Sequence, residues 1–303
     1  MREEPVTAVV TANDAFAADL YGVLTGDTRQ TVFSPVSVAA ALRMALCGAR
    51  GQTAAELGGA LHESPDAAAD GLRATSAAVH DVAADGSVTF RAPSIVWVQS
   101  GLPLRPEFTG QLGDAAAAAN ARVGFAEAPE AARAYRHGDR YQAVLLPYQG
   151  GQLAMAVVLP DGPLTTLRPA IAADGLRGLL AGTSRYQVTL SLPRFRVEGA
   201  FDLIPVLRRL GVREAFTREA DFSGITEAER LLINAVAHKA YVDVDEQGTE
   251  AAAATAISFR PTAAFRAPPA VTMTVDRPFL FVIFHTPTGT PLFVGQVSQP
   301  GVR

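Results

Sequence analysis

The segment most restrictive for any fold of this chain is Glu246-Gln247-Gly248-Thr249-Glu250-Ala251-Ala252-Ala253-Ala254-Thr255-Ala256-Ile257-Ser258-Phe259-Arg260-Pro261. It opens the only long irregular stretch, Gly248 to Pro269, in a sequence otherwise patterned as helices and strands. A stretch of that length inside a compact domain is unusual and commonly functional. One reading is a short exposed helix, since Glu and Ala are strong helix formers. The alternation supports a second. Thr249, Ala251, Ala253, Thr255, Ile257 and Phe259 carry no charge, whereas the other parity holds Glu250 and Arg260. Such a segment can become a strand with one buried face. No proline before position 261 removes an amide from that ladder.

The chain leading to it reads as helices first. Phe16, Leu20, Val23 and Leu24 share one helical face. Ser34 followed by Pro35 predicts an N-cap, with Val38, Leu42, Ala45 and Leu46 as the buried stripe and Gly48 as the stop. Thr53 and Glu56 have capping-box spacing and predict a short helix through Leu61. Strand patterns follow at Val88–Val98, at Tyr141–Leu146 and Leu153–Leu159 as a hairpin, and at Val188–Leu192 with one buried face. A helix over Leu203–Leu210 ends at Gly211. Leu231–Asp245, Val271–Val275, Phe279–Phe284 and Leu292–Val297 read as further strands.

Composition narrows the function. Hydrophobic residues make up 49% and charged residues 18% of the 303, which fits a compact globular chain and argues against disorder. With a net charge of −4 and no basic block, nucleic acid is not an expected partner. No apolar run spans a bilayer, and the N-terminus has no secretory core, so the sequence implies a soluble chain made in the cytoplasm. Cys47, the single cysteine, reads as a small buried apolar residue. Lys239 is the only lysine among many arginines, a bias we read as coding pressure in a GC-rich genome.

Enzyme chemistry finds no foothold. There is no nucleophile elbow, P-loop or dinucleotide-binding glycine motif, and the five histidines are scattered, so neither cofactor nor metal is expected. His238 stands near Asp243 and Asp245, but residues an odd number apart in a strand point to opposite faces. His238 therefore reads as a hydrogen-bonded structural residue.

Four groups of residues, in order along the chain, carry a family resemblance. They are Phe33-Ser34-Pro35-Val36-Ser37 running into Gly48–Glu56; Leu192-Pro193-Arg194-Phe195 with Leu210-Gly211, Ala220–Ile225 and His238-Lys239-Ala240; the hinge Glu246–Thr255; and Asp276–Phe281 with Pro287-Thr288-Gly289 and Phe293-Val294-Gly295. Together they resemble the serpin family of protease inhibitors, in a bacterial-type member lacking a central segment. The resemblance implies one α+β domain over residues 1–303, with helices packed on a large, mainly antiparallel sheet. It implies an exposed reactive-centre loop at 246–269. Such a loop is cut by a serine or cysteine protease, inserts into the sheet and carries the trapped enzyme with it. It also implies an extracellular setting and a capacity for loop–sheet self-association.

Carried over by position, Gly248 is the pivot and Thr249 enters first, within a hinge of Glu246, Gly248, Thr249, Glu250, Ala251, Ala252, Ala253, Ala254 and Thr255. Ser34, Ser37 and His238 belong to the region beneath the sheet that must part. Counting from the hinge puts the cut near Thr262-Ala263; counting back from Pro278 puts it near Arg266 or Ala267. Arg266 suits a trypsin-like enzyme and Phe265 a chymotrypsin-like one, while Pro261 disfavours cleavage after Arg260. The family pattern also places a helix and a sheet-lining strand between Phe125 and Tyr141. Here that span holds only Ala126–Arg140, an internal deletion at about 126–140 that removes the strand, its asparagine partner for His238 and a tryptophan; Trp97 stands elsewhere.

Overall fold

A computed structural model describes residues 3–25, 30–84, 103–112, 133–244 and 269–300. Helix α1, Glu3–Leu24, precedes the short strand β1, Thr31–Phe33. α2, Pro35–Gly48, starts as the sequence predicts, with the Ser34 side chain accepting from the Ser37 amide and proline in the first turn. It ends at Gly48 for a tertiary reason. A Cβ there would stand 2.1 Å from Ile225 Cγ1, so glycine is needed for close packing. The predicted buried stripe is part of a helix enclosed on nearly all sides, including Arg43. The Arg43 guanidinium forks onto Glu63 at 2.8–3.1 Å and donates to Thr75 Oγ1 at 2.9 Å.

α3, Gly51–Ala60, corrects the capping-box reading. Its N-cap is Arg50, with no side-chain cap, and Thr53 lies inside the helix. Thr53 Oγ1 instead donates to Glu214 Oε2 and accepts from the Asp221 amide. Glu56 Oε2 accepts from the amides of Arg213 and Glu214, capping a distant 3-10 turn. α4, Ala68–Ala84, and α5, Pro106–Leu112, complete the first helical part. The predicted strand at 88–98, with Trp97, lies outside the described residues.

Strands then dominate. β2, Arg133–His137, falls inside the 126–140 span and leads to the predicted hairpin of β3, Tyr141–Pro147, and β4, Leu153–Pro160. After helix α6, Arg168–Gly178, come β5, Ser184–Ser191, and β6, Phe195–Asp202. α7, Ile204–Arg209, is closed by Gly211 at φ 98°. β7 spans Ala237–Val244 only. The predicted start at Leu231 fails because Ile233 and Val236 bond to a 3-10 turn and to the start of α7 instead of to a strand. The Ile233 amide donates to Ala215 O, and Val236 O accepts from Leu203 N. β8, Ala270–Thr274, β9, Phe279–His285, and β10, Thr290–Val297, finish the chain.

Eight strands form one sheet in the order β1-β10-β9-β4-β3-β2-β5-β8, antiparallel except for β5–β8. Among the described residues β6 and β7 form a separate two-stranded antiparallel sheet. β9 shows how the layers stack. Leu280, Val282 and Phe284 join a core with α1, α2 and α6, while Phe279, Phe281 and Ile283 join a second core with Phe195, Val197, Ala240, Val242 and Val244. Helices thus cover one face of the large sheet and the β6–β7 pair covers the other. A strand buried on both faces loses polar alternation, and β9 is buried throughout. The Phe195 ring meets Phe279 edge-on at 5.4 Å and Phe281 at 5.1 Å.

Candidate functional site

β7 leads straight into the predicted bait segment, so the site is built around it. Its burial alternates: His238, Ala240, Val242 and Val244 turn inward, and Ala237, Lys239, Tyr241 and Asp243 are exposed. His238 and Asp243 therefore occupy opposite faces, as the parity predicts. The register pairs Phe195 with Val244 and Asp202 with Ala237 along the whole of β6. Among the described residues no strand lies on the other side of β7. A two-stranded sheet is marginal alone and depends on the layer beneath it. That contact is close, since a Cβ on Gly199 would stand 2.0 Å from the Val32 carbonyl oxygen.

The three residues predicted to lie beneath the sheet do come together. The Ser34 amide donates to His238 Nε2 at 2.9 Å. Ser34 Oγ lies 2.9 Å from Ser37 Oγ and accepts from the Ser37 amide. Ser34 joins β1 to α2, so one residue ties the large sheet, a buried helix and the small sheet. The His238 ring stacks on Phe201 with centroids 6.5 Å apart and planes at 12°. An amide can only donate, so Nε2 must be the unprotonated nitrogen. Burial agrees, pushing the imidazole down to about 4.

The hinge residues Glu246, Gly248, Thr249, Glu250, Ala251, Ala252, Ala253, Ala254 and Thr255 lie outside the described residues, as do the cut-site candidates Thr262, Ala263, Phe265, Arg266 and Ala267. The described chain stops at Val244 on β7 and resumes at Pro269, just before β8. Among the described residues, the strand entering the predicted bait segment pairs within the two-stranded sheet and not with the large one. Reading the sequence gives no sign of that division, because β6 and β7 alternate like any half-buried pair.

Sequence reasoning also missed Asp14, on α1. It is buried, accepts from the Arg177 amide, and faces Gly175, which holds φ 71°. A Cβ on Gly175 would lie 2.0 Å from Asp14 Oδ2. Burial raises the Asp14 carboxyl to about 6, against the opposing pull of the Arg177 amide. Only the fold brings this carboxylate to an amide 163 positions away.

Comparison with known proteins bears on the whole chain. The serpin (serine protease inhibitor) family model matches residues 11–135 and 132–300, two stretches meeting at the start of β2. An uncharacterized serpin-like protein of Thermococcus kodakarensis is 30% identical over 376 aligned residues, covering 99% of this chain and 88% of the relative. The leukocyte elastase inhibitor of Bos taurus is 28% identical, with 95% of this chain and 98% of the relative covered. Among solved structures, a tumour suppressing serpin superposes with a TM-score of 0.78 at 21% identity, covering 97% of this chain and all of that one. An Arabidopsis serpin in its native stressed conformation also gives 0.78 at 21%, covering 97% and 98%. The expected α+β architecture is therefore the observed one, and the family match runs from near the first helix to the last strand: the chain belongs to the serpin family.

Proposed function

We propose that this serpin inhibits a trypsin- or chymotrypsin-like serine protease, with residues 246–269 as the bait. The observation that carries this reading is β7. It runs directly into the hinge and has a described strand on one side only. A severed bait segment that folds back antiparallel along β7 can place Thr249, Ala251, Ala253 and Thr255 on the inward face, beside Val244, Val242, Ala240 and His238. The inserted face then carries no charge, as burial requires. Thr249–Arg260, 12 residues, covers about 40 Å when extended. About ten new backbone hydrogen bonds, at about 1 kcal/mol net each, make the step strongly downhill. The intact form is then kinetically held.

A second reading, a non-inhibitory or degenerate member with a binding role, is favoured by one observation. The 376-position alignment exceeds the 303 residues of this chain, so the Thermococcus relative has residues with no counterpart here. If these include the strand beyond β7, the inserted segment gains a neighbour on one side alone. Thyroxine-binding globulin, solved with thyroxine, superposes with a TM-score of 0.71 and illustrates the fold in a binding protein. Incubation with trypsin and with chymotrypsin separates the readings. An SDS-stable complex with either supports inhibition, and turnover of the loop without a complex supports the second reading.

A further inference from the structure

Among the described residues the edge of β7 away from β6 has no neighbouring strand, and it carries a self-complementary pattern. Its outward residues are Ala237, Lys239, Tyr241 and Asp243, and its inward ones are His238, Ala240, Val242 and Val244. Lys239 makes no ion pair among the described residues. Tyr241 is 45% exposed, donates to Asp243 Oδ2 at 2.7 Å and lies under the Arg196 guanidinium at 4.8 Å. β7 contains no proline, and no bulge interrupts its pairing with β6. Every residue of the strand thus keeps an amide, and no described residue interrupts its register, an edge of the kind that sheet proteins ordinarily blunt.

We propose that this edge is the contact between two copies of the chain, with β7 pairing antiparallel to β7 across a two-fold axis at Tyr241. Opposed residues in an antiparallel pair share a face, so few registers are open. A two-fold axis at Ala240 sets Lys239 against Tyr241, and one at Val242 sets Tyr241 against Asp243. Centring on Tyr241 sets Lys239 of each copy against Asp243 of the other, twice by symmetry. It also sets Ala240 against Val242 on the apolar face and retains nearly the full strand. Charge and overlap select the same register. The product is a continuous four-stranded sheet with an isologous interface. This inference stands on β7 itself and holds whether or not the chain inhibits a protease. Pairing with a second copy and insertion of the bait segment exclude one another, because both use this edge.

Light scattering on the intact full-length chain tests the interface, together with zero-length carbodiimide coupling of amines to carboxylates. With a single lysine in the sequence, the expected product is a covalent dimer joined through Lys239 and Asp243. Lys239→Asp and Asp243→Lys each oppose like charges and weaken the dimer by about tenfold or more. The double exchange, Lys239→Asp with Asp243→Lys, restores it. The restored double variant shows that both replacements are compatible with the fold, and far-UV circular dichroism of each single variant shows that it folds. A monomeric wild-type chain overturns the proposal, including one whose β7 amides are protected by residues 88–98 or 249–259 of the same molecule. So does a dimer indifferent to both charge reversals.

Discussion

The Ser34 amide donates to His238 Nε2 at 2.9 Å, across 204 positions of sequence. The bond ties the first turn of α2 to β7, the strand that enters the proposed bait segment. Replacing His238 with Leu leaves the Ser34 amide without its acceptor. The expected loss is about 1–3 kcal/mol of unfolding free energy, read by urea denaturation. His238→Gln, which retains an acceptor, recovers part of it.

Two buried groups titrate in opposite senses over one pH window. His238 is depressed from 6.5 to about 4, so the unfolded chain takes up its proton first and stability falls as pH drops from about 6.5 to 4. Asp14 is raised from 3.8 to about 6, so the folded chain takes up its proton first and stability rises as pH drops from about 6 to 3.8. Each effect amounts to about 3 kcal/mol, and together they nearly cancel. Urea midpoints of the wild type should therefore change little across the window from these two groups. Asp14→Asn should lose stability on acidification, whereas His238→Leu should gain it.

Glycine fixes the approach of the two sheets. The absent Cβ of Gly199 would meet the Val32 carbonyl oxygen at 2.0 Å, and backbone cannot swing aside. Gly199→Ala should cost about 3 kcal/mol. Gly22, in α1, has nothing within 4 Å of its Cβ position, so Gly22→Ala should stabilise by about 0.5–1 kcal/mol. Thermal denaturation of the two variants checks the contrast.

Where structure follows from neighbours in sequence, the chain was legible. The Ser34 cap, the β3–β4 hairpin, the Gly211 stop and the split faces of β7 all rest on residues a few positions apart. Thr53 and Glu56 misled because a capping box is also a pair of polar side chains, and a turn at Arg213–Glu214 recruited both. Arg43 was invisible for the same reason, since its partners Glu63 and Thr75 arrive from other elements. Residues 231–236 have a strand's apolar content but not its partner. Which strands share a sheet was beyond local reading, as the parallel β5–β8 pair joins segments some eighty positions apart. At the candidate site, the grouping of Ser34, Ser37 and His238 came from family resemblance. The bond among them came from the fold.

Thr249 sits on the uncharged parity of the proposed bait segment. Thr249→Arg places a charge where the inserted face must be buried, a costly step without a partner. The variant should be cleaved at the wild-type rate but trap far less protease, which titration of residual protease activity measures. Glu250→Arg, on the opposite parity, should inhibit as the wild type does.

Thermal unfolding of the chain before and after a single cut within residues 260–267 tests insertion most directly. If the severed Thr249–Phe259 stretch pairs along β7, the cut chain melts well above the intact one. An unchanged or lower melting temperature contradicts insertion, and with it the inhibitory mechanism.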